Sequence, residues 1–197
     1  MQGRPSWDAV GAELVSDVRP YETAKLRMLN GAHSMLAYVG LAHGHTHVHE
    51  AVSDPAIRAL AERLMHEEAA PTIAAAPGQD LSAYAGALLE RFANPALNHR
   101  LIQIAMDGSQ KIPQRWLETL AANQKQGRDC PAILAGISGW IRHLRGANGP
   151  VDDPRGAELA ALSVRADCVT ALFGQGGAMA SEWNPVAADV LAIEAGL

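Results

Sequence analysis

The stretch PYETAKLRMLNGAHSMLAYVGLA, residues 20–42, decides the fold. It is rich in residues with good helix propensity and poor in β-branched ones. Asp17 offers a capping-type side chain just before it, and Pro20 suits the first turn of a helix. Gly44 lies just beyond it and favours a helix end. We therefore predict a helix from about Pro20 to about Ala42.

The rest of the chain has the same helical character. Alanine is frequent, and the alternation of apolar and polar residues that is typical of strands is almost absent. Turn residues divide the sequence into further predicted helices, at about 54–68, 80–92, 94–106, 113–126, 131–144, 158–172 and 183–197. We predict an all-α fold, with one multi-helix domain over residues 20–197 and a lead-in over residues 1–19.

Length and composition exclude several classes of protein. The 197 residues suit one domain, and the net charge of −5 argues against a broad basic surface that binds nucleic acid. No run approaches the roughly 18 apolar residues of a membrane span, and no signal peptide is evident. Cys130 and Cys168 form no C-x-x-C pair, so we predict two buried thiols. A cytoplasmic protein is expected.

The first predicted helix carries residues that suit acid–base chemistry. An α-helix advances about 100° per residue, so with Lys25 at 0°, Glu22 falls near 60°, His33 near 80° and Asn30 near 140°. All four side chains would then project within one arc of about 140°, among apolar neighbours.

These four residue types would suit proton abstraction from a secondary alcohol. A lysine in partly apolar surroundings has a lowered pKa and can serve as a general base. Asn30 could stabilise a developing alkoxide, His33 could bind a substrate oxygen or orient Lys25, and Glu22 could relay the proton to solvent. The spacing leaves two alternatives open: a surface ion pair between Glu22 and Lys25, and a hydrogen-bonded core histidine at His33.

The segment KLRMLNGAH, residues 25–33, closely resembles the K-x-x-x-x-N-x-x-H signature of the mannitol dehydrogenase family, the polyol-specific long-chain dehydrogenases. That family includes mannitol 2-dehydrogenase, arabinitol dehydrogenase and fructuronate reductase. The resemblance continues through four later segments: RLMHEEAAP (63–71), ALLERFANPAL (87–97), QIAMDGSQKIPQR (103–115) and WIRHLRG (140–146).

The resemblance implies a mostly helical C-terminal substrate domain, similar to that of 6-phosphogluconate dehydrogenase. It implies that Lys25 is the general base in oxidation and the general acid in reduction. Asn30 would polarise the reacting oxygen, His33 would contact the substrate, and Glu22 would relay the proton. Enzymes of this family use NAD or NADP without a metal, so no metal-binding residue is expected.

The segment QKIPQR, residues 110–115, looks most like the fructuronate reductase branch. Fructuronate and mannonate carry a carboxylate, and Lys111 and Arg115 lie four residues apart, on one face if the segment is helical. An arginine can bind a carboxylate through two hydrogen bonds. With Arg100, these are the predicted substrate-binding residues, although Lys111 and Arg115 could instead be surface charges at a helix start. A polyol such as mannitol is the alternative substrate.

No dinucleotide-binding motif accompanies these residues. The nearest match to G-x-G-x-x-G is residues 174–179, where Met179 occupies the third glycine position, and we predict a helix-ending turn there. We therefore expect no cofactor-binding residue in this chain, an N-terminal Rossmann domain supplied in cis or in trans, and no activity from the chain alone. The alternative is a non-enzymatic helical remnant or partner-binding module.

The run HGHTHVH, residues 43–49, departs from the family pattern. Imidazoles at every second position of an extended loop could bind Zn²⁺ or Ni²⁺, although adventitious binding or none is favoured. Titration of these histidines near pH 6–7 could still make the loop pH-sensitive.

Overall fold

The computed structural model describes residue 9 and residues 14–197. The predicted lead-in therefore lies largely outside the described residues. Those residues form helices joined by turns, and they contain no strand beyond an isolated antiparallel bridge between His47 and Arg100. The predicted all-α fold is confirmed.

A long helix at the start of the described chain runs through the core. It consists of α1 (Arg19–Ala24), a π-helical turn (Lys25–Asn30) and α2 (Gly31–Ala42), which follow one another without a break. The predicted bounds of about 20–42 are confirmed. Helix α2 is buried over most of its length and packs mainly against α9 (Pro131–Leu144).

Short helices surround this central pair. In chain order they are α3 (Val48–Ser53), α4 (Pro55–Arg63), a π-turn (Leu64–Ala69), a 3₁₀ turn (Ala70–Thr72), α5 (Leu81–Phe92), a 3₁₀ turn (Pro95–Leu97), α6 (Leu101–Ile104), α7 (Gly108–Ile112), a π-turn (Pro113–Leu117), α8 (Glu118–Gln124), α10 (Gly156–Ser163), α11 (Cys168–Phe173) and α12 (Ala187–Glu194). None of these helices in the described ranges is long and apolar enough to cross a membrane.

The buried N-terminus of α9 is capped by a residue from a distant part of the sequence. The carboxylate of Glu68 accepts hydrogen bonds from the backbone N–H groups of Ala132, at 2.7 Å, and Ile133, at 2.9 Å. The first N–H groups of a helix have no partner within the helix, so this carboxylate supplies one. Glu68 is only 1% exposed, and burial raises its pKa to about 7.

The helix predicted over residues 94–106 is wrong. Asn98 adopts a left-handed conformation, with φ of 47°, which interrupts the helix. The backbone beyond it bonds across to the segment before α3, where the carbonyl of His99 accepts from the N–H of Val48 and Leu101 N–H donates to the carbonyl of Thr46. These long-range bonds leave only a 3₁₀ turn and the short α6.

The histidine run is extended only in part, and α3, which begins at Val48 inside the run, was not predicted. His43 ends α2, and Gly44 turns the chain with φ of 84°. The Glu50 carboxylate then accepts from the N–H groups of Thr46 and His47, at 2.8 and 2.9 Å, and these bonds help to start α3. The run is therefore a capped turn between two helices.

Two predicted C-terminal helices are also shorter than expected. The segment 158–172 is interrupted because the carbonyl of Ser163 accepts a hydrogen bond from Nε of Arg145, at 2.9 Å, instead of continuing the helix. Trp183 lies before α12 as a buried anchor against Phe173, with ring centroids 5.6 Å apart. The predicted buried thiols Cys130 and Cys168 are confirmed.

Replacing Glu68 by alanine is expected to lower the free energy of unfolding by about 2 kcal/mol, since two buried N–H groups lose their acceptor. Burial raises the pKa of Glu68 from 4.5 to about 7 in the folded state. Its contribution to stability is therefore full below pH 4.5 and declines as the pH rises through about 7. The loss in E68A should be larger near pH 4.5 than at about pH 8, as measured by urea unfolding.

The matched control is Glu67→Ala. Glu67 lies on the same turn, and its exposed carboxylate approaches Arg63 at 3.2 Å. Its loss should change the unfolding free energy by less than about 0.5 kcal/mol at either pH. Equal effects of the two substitutions would contradict the capping role of Glu68.

Candidate functional site

The π-turn Lys25–Asn30 places two of the predicted catalytic residues on one face of the helix. The N–H of Gly31 donates to the carbonyl of Leu26, five residues earlier. Residues five apart in such a turn take the places that residues four apart have in an α-helix, and π-turns occur often at functional sites. The predicted separation of about 140° between Lys25 and Asn30 assumed α-helical periodicity, from which this turn departs. The two residues are closer in direction.

Lys25 and Glu22 lie at the surface of this chain. Both side chains are exposed, because Ala24 and Met28 turn inwards and leave the opposite side of the helix in solvent. Within the described residues no ion pair joins Glu22 to Lys25. The predicted apolar surroundings of Lys25 are not formed by these residues, and that expectation is wrong for the chain taken alone.

Arg115 reaches the end of the π-turn Lys25–Asn30. Its Nη1 donates to Ser34 Oγ at 2.8 Å and to the backbone carbonyl of Asn30 at 3.4 Å. The guanidinium group is partly buried, which lowers its pKa from the usual value. Two predicted site residues that are far apart in sequence are therefore joined by a hydrogen bond.

Lys111 lies one turn before Arg115 and is held by backbone carbonyls. Its Nζ donates to the carbonyl of Met106 at 2.5 Å and approaches the carboxylate of Asp107 at 3.8 Å. Burial and the nearby charge of Arg115 lower its pKa. The third predicted substrate-binding residue, Arg100, is exposed and sits in the bridge opposite His47.

His33 packs against a ring of other side chains. It stacks on Phe92, with centroids 5.0 Å apart and planes at 25°, and lies 6.0 Å from His99. Burial lowers its pKa to about 4, and the positive charges of His99, Arg115 and Arg91 act in the same direction. The imidazole is thus neutral at physiological pH.

The Nε2 atom of His33 is buried and has no hydrogen-bond partner among the described residues. A hydrogen-bonded core histidine, the alternative that spacing left open, would have such a partner. His33 lines a small cavity of about 30 Å³ together with Leu29, His49, Phe92 and His99. A cavity of this size has room for one or two water molecules.

Sequence reasoning missed several neighbours of the site. Phe92 and His99 sit in or beside segments that carry the family resemblance, yet nothing in their spacing assigned them to His33. Trp116 was missed as well, and its Nε1 donates to the carbonyl of Gly31 at 3.2 Å. Only the packing of distant helices brings these residues to the first helix.

The described residues form a helical domain whose first long helix carries a lysine, an asparagine and a histidine. Residues 17–171 match the mannitol dehydrogenase C-terminal domain. The chain belongs to this family of oxidoreductases.

Named relatives agree with this assignment. The chain is 45% identical over 190 residues to D-mannonate oxidoreductase of Escherichia coli, covering 92% of the chain and 39% of that protein. It is 38% identical over 169 residues to a mannitol dehydrogenase of Saccharomyces cerevisiae, covering 83% and 34%. The chain therefore spans about two fifths or less of the curated relatives it matches.

Solved structures share the fold. Mannitol 2-dehydrogenase of Pseudomonas fluorescens, in a ternary complex with NAD and D-mannitol, superposes with a TM-score of 0.81 and 30% identity, over 98% of this chain and 40% of that one. A substrate-free D-sorbitol dehydrogenase superposes with a TM-score of 0.84 and 26% identity, over 99% and 42%.

The described residues do not fit a dinucleotide. They contain no strand to precede a phosphate-binding turn, and the glycine-rich segment after α11 is a helix-ending turn. A Cβ on Gly177 would lie 2.8 Å from the carbonyl oxygen of Leu172, so this glycine serves the turn itself. The prediction of a helix-ending turn is confirmed.

The histidine run does not assemble a metal site in the described part of the chain. No group of three or more His, Cys, Asp or Glu side chains there is placed to hold a metal ion. His43 and His45 instead approach the carboxylate of Asp54, at 3.7 and 3.5 Å.

Replacing Phe92 by alanine should raise the pKa of His33 from about 4 towards its usual value of 6.5, because the ring that covers the imidazole is removed. NMR titration of the His33 C2 proton measures this shift. In the wild type, His33 contributes stability above pH 6.5 that is lost as the pH falls towards about 4. F92A should lose less stability over the same fall in pH.

The matched control is Tyr84→Ala, on the same helix as Phe92. Tyr84 is partly buried and packs against the core without a ring contact to His33. Y84A should leave the pKa of His33 unchanged. An unshifted His33 pKa in folded F92A would show that stacking on Phe92 does not hold the imidazole neutral.

Proposed function

We propose that this chain is the substrate domain of an NAD(P)-dependent oxidoreductase that interconverts a keto-uronate and its aldonate, with D-fructuronate and D-mannonate favoured. The observation that carries the proposal is the π-turn on the first helix, in which residues five apart, such as Lys25 and Asn30, come closer in direction than in an α-helix. The 45% identity to D-mannonate oxidoreductase supports the choice of substrate. Interconversion of a polyol and its ketose is the alternative.

Lys25 is assigned the transfer of the proton in this reaction. In oxidation its amine removes the proton of the substrate hydroxyl, and in reduction its ammonium returns it. The face that carries Lys25 is open in this chain, and a second domain that covers it would remove water and lower the lysine pKa. Glu22, exposed one turn earlier, would pass the proton to solvent.

Asn30 and His33 are assigned to the reacting oxygen. The Asn30 amide donates a hydrogen bond to the oxygen as it gains negative charge. The neutral His33 offers Nε2, which no described residue occupies, to a substrate hydroxyl. The nicotinamide that exchanges hydride with the substrate would be held by another domain. The roles proposed for residues of this chain are therefore limited to proton transfer and substrate binding.

The substrate carboxylate is assigned to Arg115 and Lys111. The hydrogen bonds of Arg115 to Ser34 and Asn30 both come from Nη1, which leaves Nε and Nη2 for a carboxylate. Lys111 adds a second positive charge close by. Arg100, exposed in the bridge opposite His47, is a third candidate.

Replacing Lys25 by methionine should lower kcat at least about 100-fold, because general acid–base catalysis is lost. The assay uses the chain combined with the N-terminal dinucleotide-binding part of its D-mannonate oxidoreductase relative. Lys125→Met is the matched control, since Lys125 is an exposed lysine that pairs with Glu182. A K25M enzyme with the control's activity would refute the assignment. Reduction of fructuronate with NADH by the chain alone would instead refute the expectation that another domain holds the cofactor.

Replacing Arg115 by methionine should raise KM for D-mannonate at least about tenfold and KM for D-mannitol less than about threefold, because only the former carries a carboxylate. Steady-state kinetics on both substrates measure the difference. Arg165→Met, which removes an exposed arginine paired with Asp167, is the control. Equal losses on the two substrates would remove the argument for a uronate.

A further inference from the structure

Three π-turns meet beside the catalytic residues. The turn Lys25–Asn30 contacts both the turn Leu64–Ala69 and the turn Pro113–Leu117, although they are far apart in sequence. Gly31 lies at their junction. A Cβ at that position would be 3.4 Å from both the carbonyl oxygen of Arg115 and Cδ2 of Leu64. These are ordinary van der Waals distances, so the two neighbouring turns pack directly around Gly31.

Trp116 binds the residue that closes the catalytic turn. Its Nε1 donates to the carbonyl of Gly31 at 3.2 Å, while the Gly31 N–H donates to the carbonyl of Leu26. The Trp116 ring is fully buried and lies edge-on to Tyr38, with centroids 6.0 Å apart. The surrounding core fixes the position of the indole ring. The indole N–H then fixes the position of the Gly31 carbonyl.

We infer that Trp116 is a positioning residue that keeps residues 25–30 in the π-helical register through its hydrogen bond to Gly31. In an α-helical register, Lys25 and Asn30 would point about 140° apart, farther than in the π register. In the π register they share a face. Trp116 is fully buried, so its effect is exerted through Gly31.

The hydrogen-bond register of the chain itself tests this inference. In isotopically labelled protein, NMR detects the coupling across a hydrogen bond between the Gly31 nitrogen and the carbonyl carbon that accepts from it. Trp116→Phe should shift this coupling from Leu26 to Arg27, four residues before Gly31. Trp140→Phe is the control, since Trp140 is an equally buried indole that contacts Phe173 instead. Retention of the Leu26 coupling in W116F would overturn the inference.

If W116F does not fold, Trp116 can be replaced by 3-benzothienylalanine, which keeps the shape of the ring and removes the N–H donor. The same shift of the Gly31 coupling from Leu26 to Arg27 is expected. Full retention of the Leu26 coupling in this variant would overturn the inference as well.

The catalytic consequence rests on the proposed function. In the assembled enzyme, W116F should lower kcat at least about tenfold on uronate and polyol alike, with KM within about twofold, while W140F leaves kcat unchanged. A shifted register with unchanged kcat would overturn the positioning role. Failure of the proposed function would appear separately. In that case K25M would leave kcat unchanged, while W116F would still shift the Gly31 coupling from Leu26 to Arg27.

Discussion

The burial of α2 is the constraint on which the rest of the structure depends. From Ala32 to Val39 this helix is covered almost completely, with Tyr38 bonded to the carbonyl of Ala105 and Ser34 bonded by Arg115. A helix buried on all sides needs partners in every direction, and the short surrounding helices supply them. Polar chemistry is then confined to the start of the long helix, where Lys25 and Asn30 lie. The fold and the site thus share one element.

The sequence contained enough information to predict the helical class but not every helix. The long apolar segments 20–42 and 131–144 were predicted well, since periodicity and flanking prolines define them locally. The helix over 94–106 failed because His99 and Leu101 bond to residues near 46–48, some fifty residues earlier. The cap of α9 by Glu68 is equally non-local. The local helix propensity of a segment does not reveal such long-range hydrogen bonds.

For the candidate site, the sequence indicated residue types, whereas their geometry could not be read from it. The spacing of Glu22, Lys25, Asn30 and His33 placed acid–base groups on one helix, but the angular argument assumed α-helical turns. The π-turn changes that geometry. It packs against two other π-turns, and no local sequence pattern predicts this packing. The exposure of Lys25 differs from expectation for another reason: the described residues supply only one side of its surroundings.

The charges around the site favour an anionic substrate. The chain as a whole carries a net charge of −5, yet the charges of Arg115 and Arg91 act on His33 and help to keep its imidazole neutral. A neutral His33 adds no charge of its own, so the local field comes from these arginines and from Lys111, partly offset by Asp107. A polyol gains little from such a field, whereas a carboxylate is attracted by it and can bind an arginine through two hydrogen bonds. The electrostatics therefore argue for a uronate over a polyol, independently of sequence identity.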